Sequence, residues 1–416
     1  MNLLRQKGKD TVKNSRRNGF GFNLIAGALT LAAVTIGSAA GAMAAEDTTT
    51  TQLSFDKVFE AQIPAGAEVN DYPSPAEEFG FHSGEATGST SETADNLASL
   101  AAIKGTQWND SNQIDQVKEL DGTTKATVGA KVPETITLAS ASYSAGEAGS
   151  TTKTKAVNVT LTPSKFTSPG IYYYDFHEVV GKTAGVVYDS QTYRIAVTVK
   201  NDATTNTPGV IGITLVNKTR KVKGSKVSRI ENIYNAGKLT FTKKVAGSLG
   251  AKDKEFKVNV MLWTPQSPEK TVSSVITVAG ASSESENKSI HPGDWVKQTN
   301  TVEPNVTRTF TVTDGTSITL TNIPAGVKWL VKEDNYSADG YTTTYTLDEK
   351  EYSADTATPN AASTMMDQAY KVVITNTNDT TIDTGVFTTN MPYILILLAA
   401  VGGAVAFIVI ARKRRA

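Results

Sequence analysis

Period-two alternation of apolar and polar residues, recurring in short runs, narrows the fold more than any other feature of this chain. It is clear at 156–161, 194–199, 210–215, 256–260, 309–313, 317–321 and 370–375. Such a run places its apolar side chains on one face of a strand, whereas a helix would scatter them around its axis. Each run is bounded by Gly, Asn, Asp or Pro, which supply turns. Many short half-buried strands with polar turns predict an all-β protein built of β-sandwiches. One segment, 91–104, reads instead as a helix, with Leu97, Leu100, Ala101 and Ile103 along one face.

The pattern occurs twice. Leu53-Ser-Phe55-Asp-Lys57-Val58 returns as Leu239-Thr-Phe241-Thr-Lys243-Lys244-Val245. Tyr172-Tyr-Tyr174-Asp-Phe176-His-Glu178 returns more loosely as Trp329-Leu-Val331-Lys-Glu333, and Ile230-Glu-Asn232 as Ile374-Thr-Asn376. Both copies run Lys, then Glu, then Asn, which predicts two tandem domains at 52–236 and 237–380. The first carries a large polar insertion between Ala65 and Ser150. The connection Tyr234-Asn-Ala-Gly-Lys238 is short, which favours a stiff head-to-tail pair over a flexible tether.

Both ends carry targeting features. Residues 1–44 have a basic start (Arg5 to Arg17), an apolar run and Ala42-Met43-Ala44, the order of a cleaved secretory signal peptide. From Met391 to Ala411 there is no charge, and Arg412-Lys-Arg-Arg415 follows. That length spans a bilayer, and the basic tail keeps the end cytoplasmic. Thr381-Ile382-Asp383-Thr384-Gly385 lies just before it. The arrangement of 381–416 resembles the cell-wall sorting signal of Gram-positive surface proteins. It implies a sortase that cleaves between Thr384 and Gly385, although Thr381 and Ile382 replace the usual Leu-Pro.

Charge and composition exclude other functions. The 416 residues hold 41 basic and 41 acidic side chains, no cysteine and three histidines. Removing the leader's six basic residues and one acidic residue, and the tail's four basic ones, leaves 31 basic and 40 acidic side chains. An acidic mature segment is a poor nucleic-acid binder. Without cysteine there is no disulfide, thiolate metal site or cysteine nucleophile. His82, His177 and His291 are scattered, so no metal cage or catalytic triad is expected. No phosphate loop is visible, and the chain is expected to bind no cofactor and to be no enzyme.

The repeated residues suggest covalent chemistry of another kind. Alternation puts Lys57 on the face of Leu53 and Phe55, and Lys243 on that of Leu239 and Phe241. If those faces are core, both amines are buried and driven toward the neutral, nucleophilic form. A one-residue slip would turn Lys244 inward instead, so both lysines stand as candidates. Asn232 shares a face with Ile230, and Asn376 with Ile374. Burial favours protonated Glu178 and Glu333, which could shuttle protons. A neutral amine, an amide carbonyl and a protonated carboxyl in dry contact are the parts of an intramolecular isopeptide bond. Alignment alone can supply about 7–11 kcal/mol toward such a step.

With these motifs the chain resembles a Gram-positive backbone pilin of the streptococcal type, with isopeptide-linked immunoglobulin-like (Cna B-type) domains. Phe79-Gly-Phe81, Gly185-Val-Val-Tyr188-Asp and Ile230-x-Asn232-x-Tyr234 carry the first-domain resemblance. Asp253-Lys-Glu-Phe256, Ile323-Pro-Ala-Gly326 and Gly340-Tyr341 carry the second. The resemblance implies bonds Lys57–Asn232 and Lys243–Asn376, promoted by Glu178 and Glu333. It also implies covalent polymerisation with other pilin subunits by a sortase, attachment to peptidoglycan, and a secreted, wall-anchored pilus whose precursor is transiently in the membrane. The resemblance also implies an acceptor lysine shortly before Asn232, where Lys218, Lys221, Lys223 and Lys226 cluster, and Lys226 or Lys223 is the candidate. No Tyr-Pro-Lys acceptor motif is present, since Tyr72-Pro73 is followed by Ser74. The competing expectation is a wall-anchored monomeric adhesin that contacts a host surface ligand through 65–150.

Overall fold

The computed structural model describes residues 50–84, 100–107, 135–219, 226–265, 268–297, 302–351, 362–379 and Ile396. The expected signal peptide and the 381–385 motif lie outside these residues, as does the apolar span apart from Ile396. Among the described residues no helix is long and apolar enough to cross a membrane.

Apart from Ile396, which is helical, the described chain is all-β with single turns of 3-10 helix. The first part holds β1 (Thr50–Gln62), β2 (Glu77–Phe79), β3 (Phe81–Ser83), β4 (Leu100–Ile103), β5 (Gly105–Gln107) and β6 (Ile136–Ala139). It continues with β7 (Ala141–Tyr143), β8 (Thr154–Leu161), β9 (Gly170–Glu178), β10 (Val186–Val187), β11 (Thr192–Asn201) and β12 (Pro208–Asn217). Then comes β13 (Arg229–Ala246), followed by β14 (Phe256–Trp263), β15 (Thr277–Ala279), β16 (Val306–Val312), β17 (Ser317–Pro324) and β18 (Lys328–Glu333). Last are β19 (Thr342–Leu347), β20 (Lys350–Glu351), β21 (Ser363–Thr364) and β22 (Ala369–Thr377).

Two sandwiches share one strand. An 11-stranded sheet runs β20-β19-β22-β13-β1-β8-β6-β4, with β10 and β17 also on β13, and β15 on β17. The sheet β12-β11-β9-β3, with β5 also on β9, belongs to the first sandwich. The sheet β16-β14-β18-β21 belongs to the second. One core gathers Phe55, Phe59, Phe79, Phe81, Phe176 and Tyr234; the other gathers Phe241, Phe256, Phe310, Trp329, Val372 and Ile374.

The short connection read at 234–238 is the middle of β13, an 18-residue strand. Its even residues Ile230, Asn232, Tyr234 and Ala236 are buried in the first half, and its odd residues Leu239, Phe241, Lys243 and Val245 in the second. Neighbouring residues of a strand point to opposite faces, so the two cores use opposite faces of one strand.

Two expectations need correction. Leu100–Ile103 is strand, not helix, paired antiparallel with β6 so that Ile103 sits opposite Ile136. Both isoleucines are buried in the core, and pairing of this kind overrides a weak helical periodicity. The 65–150 region is not merely a polar insertion. Its described parts deliver Tyr72, Phe79, Phe81, Ile103, Ile136, Leu138, Ala141, Tyr143 and Ala148 to the first core.

Candidate functional site

Each core contains one lysine, one glutamate and one asparagine out of water. Lys57, Glu178, Asn232, Lys243, Glu333 and Asn376 are all at most 4% exposed. Alternation explains the placement: each lysine continues an apolar strand face that has no polar exit. Lys244 is exposed, so Lys243 is the inward residue of the pair.

The strand register is the same in both sandwiches. β1 and β13 pair in parallel, with Lys57 opposite Ile230. β13 and β22 also pair in parallel, with Lys243 opposite Ile374. In both cases the asparagine lies two residues beyond the isoleucine, on the same face and one step along the neighbouring strand. Glu178 and Glu333 come from the facing sheets, at the ends of β9 and β18.

In the first cluster Lys57 Nζ lies 2.6 Å from Glu178 Oε2. The same amine donates to Asn232 Oδ1. Asn232 Nδ2 donates to Glu178 Oε1 at 2.5 Å, closing a three-membered ring of contacts. The backbone N–H of Asp189 reaches Glu178 Oε1 at 3.4 Å. Burial lowers the Lys57 pKa, against the opposing pull of Glu178, and burial raises that of Glu178. Both directions favour the neutral amine with the protonated acid over the ion pair.

In the second cluster Lys243 Nζ lies 2.7 Å from Glu333 Oε1. The Thr343 hydroxyl donates to Glu333 Oε2 at 3.3 Å. Burial lowers the Lys243 pKa here too. Asn376 is fully buried, yet neither its Oδ1 nor its Nδ2 has a hydrogen-bond partner. A buried primary amide left unsatisfied carries the desolvation cost of its polar atoms, of order 1–3 kcal/mol each.

Sequence reasoning missed the covers of these amines. Lys57 Nζ sits 4.6 Å from the centre of the Phe79 ring, and Lys243 Nζ 4.1 Å from that of Phe256. Phe79 is flanked edge-on by Tyr143 and Tyr188, and Phe256 by Tyr336 and Tyr341. Phe79 and Phe256 stood in the motifs, but nothing in their spacing tied them to a lysine. Of the two acceptor candidates, Lys226 is exposed and bridges to Val216 just before β13. Lys223 lies outside the described residues, as do Thr384 and Gly385.

The family described as "Domain of unknown function (DUF7601)" matches residues 237–382. A pilin of Streptococcus pyogenes serotype M1 is 31% identical over 267 residues, 62% of this chain and 72% of that protein. Among solved structures, the major pilin from Streptococcus pyogenes is 21% identical, with a TM-score of 0.44, over 79% of this chain and 99% of that one. The major pilin T3.2 of the same species is 19% identical, with a TM-score of 0.43, over 80% of this chain and 99% of that one. The identity to the serotype M1 pilin, over 72% of that protein, carries the assignment: this chain belongs to the pilin family.

Proposed function

We propose that this pilin is a covalently closed shaft subunit, with one Lys–Asn isopeptide bond in each sandwich and a sortase-made bond to the next subunit. The observation that carries the first part is the common geometry of the two clusters: Lys and Asn on paired parallel strands in one register, with a buried Glu facing them.

The chemistry in the first cluster runs as follows. The Lys57 Nζ lone pair attacks Asn232 Cγ. As Cγ becomes tetrahedral, Nδ2 regains a basic lone pair. Glu178 Oε2, beside Nζ, takes the amine's proton, while Oε1, beside Nδ2, delivers one to the leaving nitrogen. The Nζ–Cγ bond forms, the Cγ–Nδ2 bond breaks, ammonia leaves, and Glu178 ends protonated as it began. Glu333, beside Lys243 Nζ, takes the same role in the second cluster. There the bond also removes the unsatisfied primary amide of Asn376.

The strand directions support head-to-tail assembly. β1 and β13 run in parallel, so Thr50 and Lys226 lie toward the same end of the first sandwich. β13 and β22 also run in parallel and finish at the opposite end, where Thr377 precedes the Thr384-Gly385 pair by a few residues. The reading is that a sortase cleaves after Thr384 and transfers its carbonyl to Lys226 or Lys223 of a neighbouring copy. The last subunit is joined to peptidoglycan, giving a wall-anchored pilus. Wall extracts of cells expressing the chain should show a ladder of covalent oligomers on a denaturing gel. Double substitution of Lys223 and Lys226 by Arg should collapse the ladder. A single band from the unsubstituted chain would contradict polymerisation and favour the monomeric adhesin.

A further inference from the structure

The segment Tyr72-Pro73-Ser74 lacks the lysine of an acceptor motif, and it has another place in the fold. Tyr72 and Ser74 are each 2% exposed. Ser74 fixes the segment within the first sandwich: its hydroxyl accepts from Ala148 N–H at 3.3 Å, and its carbonyl from Gly146 N–H at 2.9 Å. The Pro73 carbonyl is then presented to Asn322 of the second sandwich.

Asn322 is a hub. Its Nδ2 donates to Pro73 O at 2.9 Å and to Val275 O at 2.9 Å. Its Oδ1 accepts from the Tyr234 hydroxyl at 3.0 Å. One amide thus joins the first sandwich, the second sandwich and the strand they share, and it is 0% exposed. On β17 it is the extra residue of a bulge, because Gly237 pairs with Ile323 while Lys238 pairs with Thr321. Its φ is +67°, a left-handed conformation that asparagine tolerates better than other side chains. A bulge re-aims the side chain it carries.

A second set of contacts surrounds the hub. Asn235 N–H donates to Gly185 O at 2.8 Å, and Ala325 N–H donates to Asn235 O at 2.9 Å. Thr271 N–H donates to Lys182 O at 2.8 Å, and Ala184 N–H to Thr271 O at 2.7 Å. Lys270 Nζ donates to Gly181 O at 3.2 Å. Ala184, a residue of the loop before β10, packs within the second core.

Tandem domains joined by a small interface usually move against each other. Here a pivot would have to break the hydrogen bonds of a fully buried amide, whose polar atoms are costly to leave unsatisfied. We propose that Asn322 is the lock of a rigid joint that makes the two sandwiches one mechanical body. None of its contacts involves the six cluster residues, so the proposal stands whether or not the isopeptide bonds form.

The absence of cysteine permits a clean test. Spin labels are placed on the full chain at Ala203→Cys and Ser282→Cys, both exposed and in different sandwiches. Pulsed electron paramagnetic resonance then gives the distance distribution between them. The unsubstituted joint should give one narrow distribution. Asn322→Ala should broaden it about twofold, as for domains free to move. Asn322→Asp should also broaden it, because it keeps the Tyr234 acceptor but loses the donor to Pro73 and Val275. If neither variant folds, Tyr234→Phe, which deletes only the hydroxyl, decides by the same readout. A width unchanged in every folded variant, or already broad in the unsubstituted joint, would overturn the proposal.

Discussion

At the residue scale, parity decides the chemistry. Leu239, Phe241 and Lys243 share a face, and Lys244 does not. Arginine is always charged and cannot act as the amine. Lys243→Arg should therefore restore one ammonia to the intact mass, whereas Lys244→Arg should leave the mass deficit unchanged. Equal effects of the two would contradict the assignment. Glu178→Ala and Glu333→Ala should each restore one ammonia, in the first and second sandwich respectively, as located by peptide mapping. The pH dependence follows from the directions of the shifts. The reactive pair, neutral Lys57 with protonated Glu178, holds the same number of protons as the ion pair. Bond formation on refolding from denaturant should therefore show a plateau between the two macroscopic pKa values of the pair. It should slow at low pH, where the amine gains a proton, and at high pH, where the acid loses its own. A rate that rises steadily with pH would show that Glu178 is not needed as an acid. The six cluster residues were legible because they repeat in order on alternating strands. The Phe79 and Phe256 covers were not, since each reaches its lysine from a non-adjacent strand, and sequence spacing carries no trace of that contact.

At the element scale, β13 does most of the organising. It supplies Asn232 to one cluster and Lys243 to the other, and the odd separation between them sends the two side chains to opposite faces. That relation could be read from sequence once both segments were recognised as strand. Their continuity could not, because Asn235-Ala-Gly237 carries turn-forming residues. Gly237 is there for room: a Cβ would lie 2.1 Å from Met366 O and 2.4 Å from Met365 Sδ. Gly185 has φ of +81°, and a Cβ there would lie 2.6 Å from Asn235 O. Gly237→Ala should cost about 1–3 kcal/mol by overpacking, measured as a lower unfolding midpoint in a Glu333→Ala background. An unchanged midpoint would mean that the 365–368 segment yields freely. The helix expectation for 91–104 failed at 100–103 for a related reason, while 91–99 lie outside the described residues. A short apolar run also suits an edge strand, and the decision lay with β6, far along the chain.

At the scale of the whole molecule, the topology sets the path of tension. If a subunit is pulled between Lys226 and Thr384, load enters at the start of β13, crosses from Lys243 to Asn376 and leaves along β22. Residues 50–225 lie off that path, and residues 244–375 are bypassed by the second bond. Pulling single molecules through these two points should therefore give no unfolding step in the closed protein. Glu333→Ala should release roughly 450 Å of extra length, from about 3.4 Å per residue of freed chain. Glu178→Ala should release none. Extra length in the Glu178 variant would place the load elsewhere, and with it the acceptor. The two-sandwich plan was visible in the repeat, and the short segment at 234–238 left no room for a long linker between the sandwiches. The hub at Asn322 was not, because a bulge and a left-handed residue within a strand leave no periodic mark.

If each sandwich closes itself with a bond between its first and last strands, the purified 45–384 region loses two ammonia molecules. Its intact mass should then fall below the sequence value by that amount. A mass equal to the sequence value would mean that neither bond forms.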